Sequence, residues 1–214
     1  LSMEKKGAQN GAYIHVPDVE MFERLNQASG NRVRLLDVAP EVDGAMELIE
    51  KCHDKAVISL AHTCADYHTA MQAFDAGASH MTHLYNAMPP YSHRAPGPIG
   101  AAADKEKVEV ELITDGVHIH PASVRTTFKI FGDGRIIFIS DSMRATGLDD
   151  GEYTLGGQDV KVTGNRAVLA DGTIAGSVTD LLGCVQTAVS MGIPLAAAVR
   201  AAAVNPARCI GAYS

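Results

Sequence analysis

Histidines and carboxylates recur at the ends of the β-type runs of this sequence. Glu41 follows "VRLLDVAP", His62 sits in "LAHT", His83 in "MTHLYNAM", Asp115 with His118 in "ITDGVH", and Asp141 in "ISDSM". One such residue beside a strand is ordinarily a packed or surface group, but one at each of five successive strand ends forms a pattern. On adjacent parallel strands His62 and His83 would be neighbours. Two neutral imidazoles converging in this way suit a borderline divalent cation such as zinc, with carboxylate or water completing the site. Asp141, at the end of the last of these strands, is then placed to take a proton from an attacking water. Its bland alternative is a turn or N-cap carboxylate. The run "THLYNAMPPYSHRAPGPIG" (82–100) puts His83, Asn86 and Arg94 in one proline- and glycine-rich loop. A purely structural loop needs turn residues, not that polar set.

The elements that must position these groups alternate strand and helix. Runs rich in Val, Ile and Leu are predicted as strands at 33–41, 56–63, 108–121 and 135–143, with a strand of four or five residues within "HMTHLYNAM". Their partly continuous apolar character is expected of strands covered on both faces. Between them, "VDGAMELIEKC" and "CADYHTAMQAFDAG" read as helices, and another starts near Pro121, a favoured first-turn residue. Residues 152–175, with several glycines between short β-type runs, read as a hairpin excursion. Ser177 with Asp180 three residues on predicts a capping box for the helix that follows. An alanine-rich helix is expected to end at Asn205-Pro206. Strands spaced by roughly 20–30 residues point to an α/β fold, an incomplete (β/α)8 TIM-type barrel, because a whole barrel takes about 250 residues. The chain opens on a loop and stops after one helix, so it is expected to be a fragment: a single partial barrel domain over 1–214.

Composition narrows the function classes. Apolar residues at 46% and charged residues at 20% are ordinary for a soluble globular chain. A net charge of −7 without any Lys/Arg cluster argues against a nucleic-acid or anionic-membrane partner. The apolar runs are too short for a transmembrane helix or signal peptide. Cys52, Cys64, Cys184 and Cys209 are widely spread, which fits free thiols in a reducing cytoplasm. Cys64 reads as a buried thiol, and His15, His53, His68, His80, His93 and His120 as surface or hydrogen-bonding histidines. The absence of Trp disfavours a sugar-stacking platform.

The segments "KKGAQN", "AHT", "THLYNAM", "RAPGPIG", "DGVHIHP", "SDSM" and "DGTIAGS" occur in that order. Together they resemble the N-acetylglucosamine-6-phosphate deacetylase family of the amidohydrolase superfamily over essentially the whole chain. The run from Thr82 to Gly100 is specific to that family. The resemblance implies metal-dependent removal of the acetyl group from a small-molecule sugar phosphate. It implies His62 and His83 as ligands of a divalent metal, with zinc first and iron or another divalent ion as the alternative, and Asp141 as catalytic acid/base. Asn86 and Ala87 would meet the phosphate, as would Arg94, near the interface of a homodimer. His118 would contact sugar hydroxyls or orient the amide, while Ala8 and the Ile174, Ala175 and Gly176 stretch would line the substrate. A guanidinium and amide donors suit a phosphate dianion.

Departures from the family pattern accompany the match. The family's third metal ligand, a glutamate in a His-x-Glu-Gly-Pro type segment upstream of the lysine pair, is not in this sequence, and neither is the family's small β-domain. Glu41 in "APE" is not its equivalent and takes a supporting or structural role. Gln9 stands where several relatives carry histidine. A different amidohydrolase (a cyclic-amide hydrolase or aminohydrolase) leaves the Asn-Ala-Met and Arg-x-Pro-Gly segments unexplained. A non-catalytic sugar-phosphate-binding fragment is the rival of another class, and acetate release separates it from the enzyme.

Overall fold

The computed structural model describes residues 1–212. Five strands, β1 (Leu35–Val38), β2 (Val57–Leu60), β3 (His80–Met81), β4 (Glu109–Ile113) and β5 (Ile136–Ile139), form a sheet in chain order. β1–β2, β2–β3 and β3–β4 pair parallel. With a helix between successive strands, this is the predicted incomplete barrel. The chain divides into two compact units, the first comprising residues 1–5, 15–110 and the C-terminal residues from Ala207, the second Lys6–Ile14 and Glu111–Pro206.

The first unit holds α1 (Val19–Ala28), β1, α2 (Ala45–Cys52), β2, α3 (Tyr67–Asp75), β3 and α4 (Gly97–Asp104). Val38, Ile58, Leu60, Met81 and Val110 are buried and, by register, share one face of the sheet, while Ser59 and His80 are buried on the other. Carboxylates start two of the helices: Asp18 accepts from the amides of Glu20 and Met21, and Asp66 from that of Thr69. At the start of α2, Gly44 has φ +81° and a Cβ there would meet the Pro17 carbonyl at 2.8 Å, so only glycine fits. β3 is two residues long, not four or five. His83, Tyr85 and Ala87 all take positive φ and coil the chain into turns directly after Met81.

The second unit contains the rest of β4, then α5 (Pro121–Phe131) and β5, followed by the expected hairpin excursion, β6 (Gly151–Leu155), β7 (Gln158–Thr163) and β8 (Arg166–Val168), an antiparallel sheet in that order. Val160, Val162, Ala167 and Ala175 form its core with Met143 and Ala145, and Ala8 packs against it. Alternating burial along β7 gives one packed and one wet face. α6 (Leu181–Ser190) is capped by Asp180, which accepts from the Gly183 amide, and not by Ser177. Ser177 is already committed: its backbone bonds to Asp141 and Met143 in a parallel bridge, and its Oγ accepts from the Thr179 amide. The last helix does not end at Asn205-Pro206. α7 (Leu195–Val199) widens into a π-turn over Arg200–Val204 and continues as α8 (Asn205–Cys209). The wide turn lets the helix pass a proline that has no amide hydrogen to give. Asn205 Nδ2 ties it down by donating to the carbonyls of Asp133 and Ile136 at 2.8 and 2.7 Å. Among the described residues no helix is long and apolar enough to cross a membrane.

Candidate active site

In the first unit, β2 and β3 deliver His62 and His83 to loops one strand apart, and the rings meet edge to face with their Nε2 atoms 3.0 Å apart. Both residues are buried. His62 Nδ1 lies 2.8 Å from the Lys5 carbonyl. A carbonyl only accepts, so Nδ1 carries the hydrogen and Nε2 presents its lone pair toward His83. Two nitrogens bound to one zinc-like ion at about 2.0–2.1 Å, with ligand angles between square and tetrahedral, lie about 2.8–3.4 Å apart. The observed separation and the tautomer therefore fit a pair of metal ligands, with the backbone carbonyl orienting the ring. No group of three or more His, Cys, Asp or Glu side chains among the described residues is arranged to hold an ion. The pair is what this chain offers.

Backbone strain marks the same places. The non-glycine residues with positive φ among the described residues are Asn31, His62, His83, Tyr85, Ala87 and Asp141. Asn31 closes a turn after α1, where asparagine tolerates this conformation. The other five fall in the "AHT", "THLYNAM" and "SDSM" segments. Each such residue costs about 1–3 kcal/mol and persists only where its surroundings over-determine it. For His62 those surroundings are visible. Its carbonyl accepts from the Ser2 amide at 2.9 Å, and the next amide, Thr63, donates to the Ala87 carbonyl at 3.1 Å. Glu41 closes the turn, accepting from the Thr63 hydroxyl with one oxygen and from the Cys64 amide with the other. Cys64 itself is half-buried, not buried, with its sulfur 3.4 Å from the Ser2 hydroxyl.

Behind the histidines runs a chain of polar side chains across three strands. Asp37, Ser59 and His80 are in register on β1, β2 and β3. Thr82 Oγ1 donates to Asp37 at 2.7 Å, Ser59 Oγ lies 2.7 Å from Thr82, and His80 Nδ1 lies 2.9 Å from Ser59. The carboxylate can only accept, so the direction is set throughout: His80 to Ser59 to Thr82 to Asp37. Burial pushes His80 down to about 4, so the ring is neutral. Desolvation raises the Asp37 carboxyl, opposed by the Thr82 hydroxyl and by His83 and His62, although one side of Asp37 still meets solvent. The other singled-out histidines, His15, His53, His68, His93 and His120, are exposed. His120 caps α5 by accepting from the Ala122 amide.

The rest of the Thr82–Gly100 loop is folded on itself. Asn86 Nδ2 donates to the carbonyls of His83 and Leu84 at 3.2 and 3.3 Å. Arg94 is exposed and lines a cleft of ≈ 900 Å³ with Cys64, Tyr67, Pro89, Pro90 and Asp104.

In the second unit, Asp141 leaves β5 exposed and left-handed, φ +49°, and its carbonyl accepts from Ser177 at 2.8 Å. Gly176 makes that approach possible, since a Cβ there would stand 2.9 Å from the Asp141 oxygen. The Ala175 methyl is fully buried in the hairpin core, so any ligand contact from it runs through its backbone. Ile174 bridges to Val168, and the Ala8 carbonyl accepts from Gln158 Nε2 at 2.7 Å. His118 Nδ1 meets Asp115 Oδ2 at 2.7 Å with both side chains nearly inaccessible. Asp115 carries no task from the sequence alone, although its spacing of three from His118 across Gly116 is a usable signal. Ser59, Thr82 and His80 carried no such signal, because their link exists only once β2 and β3 are in register.

Residues 36–214 match the model of the amidohydrolase family. The chain is 46% identical over 179 residues to N-acetylglucosamine-6-phosphate deacetylase from Bacillus subtilis (strain 168), covering 83% of this chain and 45% of that one. It is 34% identical over 210 residues to N-acetylgalactosamine-6-phosphate deacetylase from Escherichia coli O157:H7, covering 97% and 55%. Among solved structures it resembles an Asp-to-Ala mutant of N-acetyl-D-glucosamine-6-phosphate deacetylase from Mycobacterium smegmatis in complex with N-acetyl-D-glucosamine-6-phosphate. That likeness has a TM-score of 0.95 at 39% identity and covers 99% of this chain and 57% of that one. The chain spans about half the length of the curated relatives it matches. With five strand-borne segments, a histidine pair and the family model all in agreement, this chain belongs to the amidohydrolase family.

Proposed function

We propose that the protein carrying this chain removes the acetyl group from N-acetylglucosamine 6-phosphate, giving glucosamine 6-phosphate and acetate, in amino-sugar breakdown in the cytoplasm. The observation that carries this reading is the coincidence of strained backbone with motif residues at His62, His83, Ala87 and Asp141. The 46% identity to a deacetylase of that specificity supports the substrate.

His62 and His83 hold a divalent metal, zinc first, through Nε2. When bound, such an ion polarises a carbonyl and makes water a better nucleophile near neutral pH. Asp141 takes the proton from the attacking water and returns it to the amine nitrogen, which must be protonated before it leaves. His118 contacts a sugar hydroxyl or orients the scissile amide. Arg94 and the Asn86–Ala87 turn take the phosphate, Arg94 from across a homodimer interface. The Asn86 amide would leave its two long intra-loop bonds to do so. Ala8, Ile174, Ala175 and Gly176 line the sugar, largely through backbone.

A second reading, the galacto epimer, is favoured by the relative of that specificity matching 97% of the chain. Acetate release from both 6-phosphates and from unphosphorylated N-acetylglucosamine, with and without zinc, tests the set. The gluco-6-phosphate is expected to be the best substrate. Arg94→Ala should raise KM for it roughly tenfold or more, the worth of a charge-assisted hydrogen bond, and leave the unphosphorylated sugar unchanged. Equal loss on both sugars would assign Arg94 to the fold, and faster turnover of the galacto epimer would replace the substrate.

A further inference from the structure

Asp115 does two things at once. Its Oδ1 accepts from the backbone amides of Val117 and His118 at 2.9 and 3.0 Å, which shapes the turn. Its Oδ2 accepts from the His118 ring at 2.7 Å. The first task alone is an ordinary turn carboxylate. The second is not required by the turn, and it is made where the Asp115 side chain is fully inaccessible and that of His118 nearly so. Burial works against the Asp115 carboxylate, but the ring and the two amides outweigh it and hold its carboxyl below the usual range.

The segment is pinned on both sides. Before it, Thr114 Oγ1 donates to the Cys184 carbonyl at 2.9 Å at the end of β4. After it, Ile119 is buried and His120-Pro121 opens α5. Gly116 supplies the one left-handed residue, φ +81°, so His118 itself is unstrained. The backbone on both sides of His118 is therefore fixed, and the carboxylate that its ring meets decides which nitrogen carries the hydrogen.

We propose that Asp115 is a positioning residue of the active site: it sets the Nδ1–H tautomer of His118, so that Nε2 faces the substrate as an acceptor. A carboxylate cannot donate, so Nδ1 must, and in the neutral ring Nε2 keeps its lone pair. The partner for Nε2 is a hydrogen-bond donor, a sugar hydroxyl or the amide N–H, and not the carbonyl oxygen of the acetyl group. This narrows the role proposed for His118 above and rests on that reading only for its effect on turnover.

The test is Asp115→Asn, in the protein carrying this chain, with nitrogen-15 histidine NMR and turnover read together. The asparagine oxygen can keep the two backbone amides, and its NH₂ then faces the ring and donates to Nδ1. That moves the ring hydrogen to Nε2 and turns the acceptor into a donor. Wild-type His118, assigned by its loss in His118→Gln, is expected to show the Nδ1–H pattern above pH 8. Asp115→Asn is expected to show Nε2–H in a protein that still folds, and kcat/KM lower by roughly 10- to 100-fold, the worth of one hydrogen bond to a charged or buried group. An Nε2–H pattern in the wild type overturns the proposal even if the variant fails to fold. A flipped tautomer with full turnover overturns it too. If the wild type releases no acetate from any sugar phosphate, the functional reading fails, while the NMR still decides what Asp115 does.

Discussion

The two histidine turns solve the same problem by opposite means. In the first unit the histidine itself takes the left-handed conformation: His62 at φ +43° and His83 at φ +32°. In the second, Gly116 absorbs that conformation and His118 stays relaxed. The rings are held differently as well, His62 by the neutral carbonyl of Lys5 and His118 by the carboxylate of Asp115. A carboxylate also closes the His62 turn, but Glu41 grips only the Thr63 hydroxyl and the Cys64 amide and leaves the ring alone. The contrast teaches that strain is spent where direction matters most. If His62 and His83 share a metal as proposed, two nitrogens now 3.0 Å apart must aim at one point, whereas a single ring meeting a substrate, as proposed for His118, has more latitude.

Separating proton transfer from metal holding is the sharpest way to test this. Asp141→Asn keeps the size of the side chain but cannot shuttle a proton. It should lower kcat by about 10²–10⁴, with metal content and substrate affinity retained. A variant that keeps most of its turnover would move the proton to another group, His118 first.

His80 supplies a histidine that belongs to neither turn. Its folded value of about 4 lies below the ordinary 6.5, so between these values the unfolded chain binds a proton that the folded chain refuses. Stability is therefore full above about pH 6.5 and is lost as pH falls toward 4, by about 3 kcal/mol. Denaturant midpoints measured across that window should show the slope. His80→Asn, whose amide can still donate to Ser59, should flatten it, and an unchanged slope would mean that the acid sensitivity lies elsewhere.

The smallest effect is expected at Glu41. Releasing the clamp with Glu41→Ala should weaken zinc binding about 10- to 100-fold, the usual cost of losing a supporting partner of a ligand. Competition with a chromophoric chelator measures it. Unaltered affinity would show that Lys5 and Ser2 alone hold the His62 turn, and the contrast between the two turns would narrow to their rings.

The alternation of strand and helix was legible because strands covered by helices are rich in Val, Ile and Leu and each helix must be punctuated. His62, His83 and Asp141 stood out as candidates because strand ends are few and polar residues there are conspicuous, and the structure brings the two histidine rings together. What escaped was whatever depends on backbone conformation or register. The sequence "HMTHLYNAM" reads as strand because its side chains suit one, yet three left-handed residues end the strand after Met81. Ser177 looked like a cap on spacing alone, but its backbone was already paired with Asp141. The polar chain through Ser59 joins residues 21 and 23 positions apart, a distance no local pattern reports.

That polar chain has a consequence for how the protein can change over generations. Because its direction is fixed by a carboxylate at one end, replacing a member by a residue that cannot keep its donor or acceptor role leaves a donor without an acceptor or a cavity where a hydroxyl was. Asp37, Ser59, His80 and Thr82 are thus free to drift only together, most easily by exchange of the whole set for apolar residues of similar volume. Among descendants of this sequence, the four positions should be inherited as a block, with intermediates short-lived.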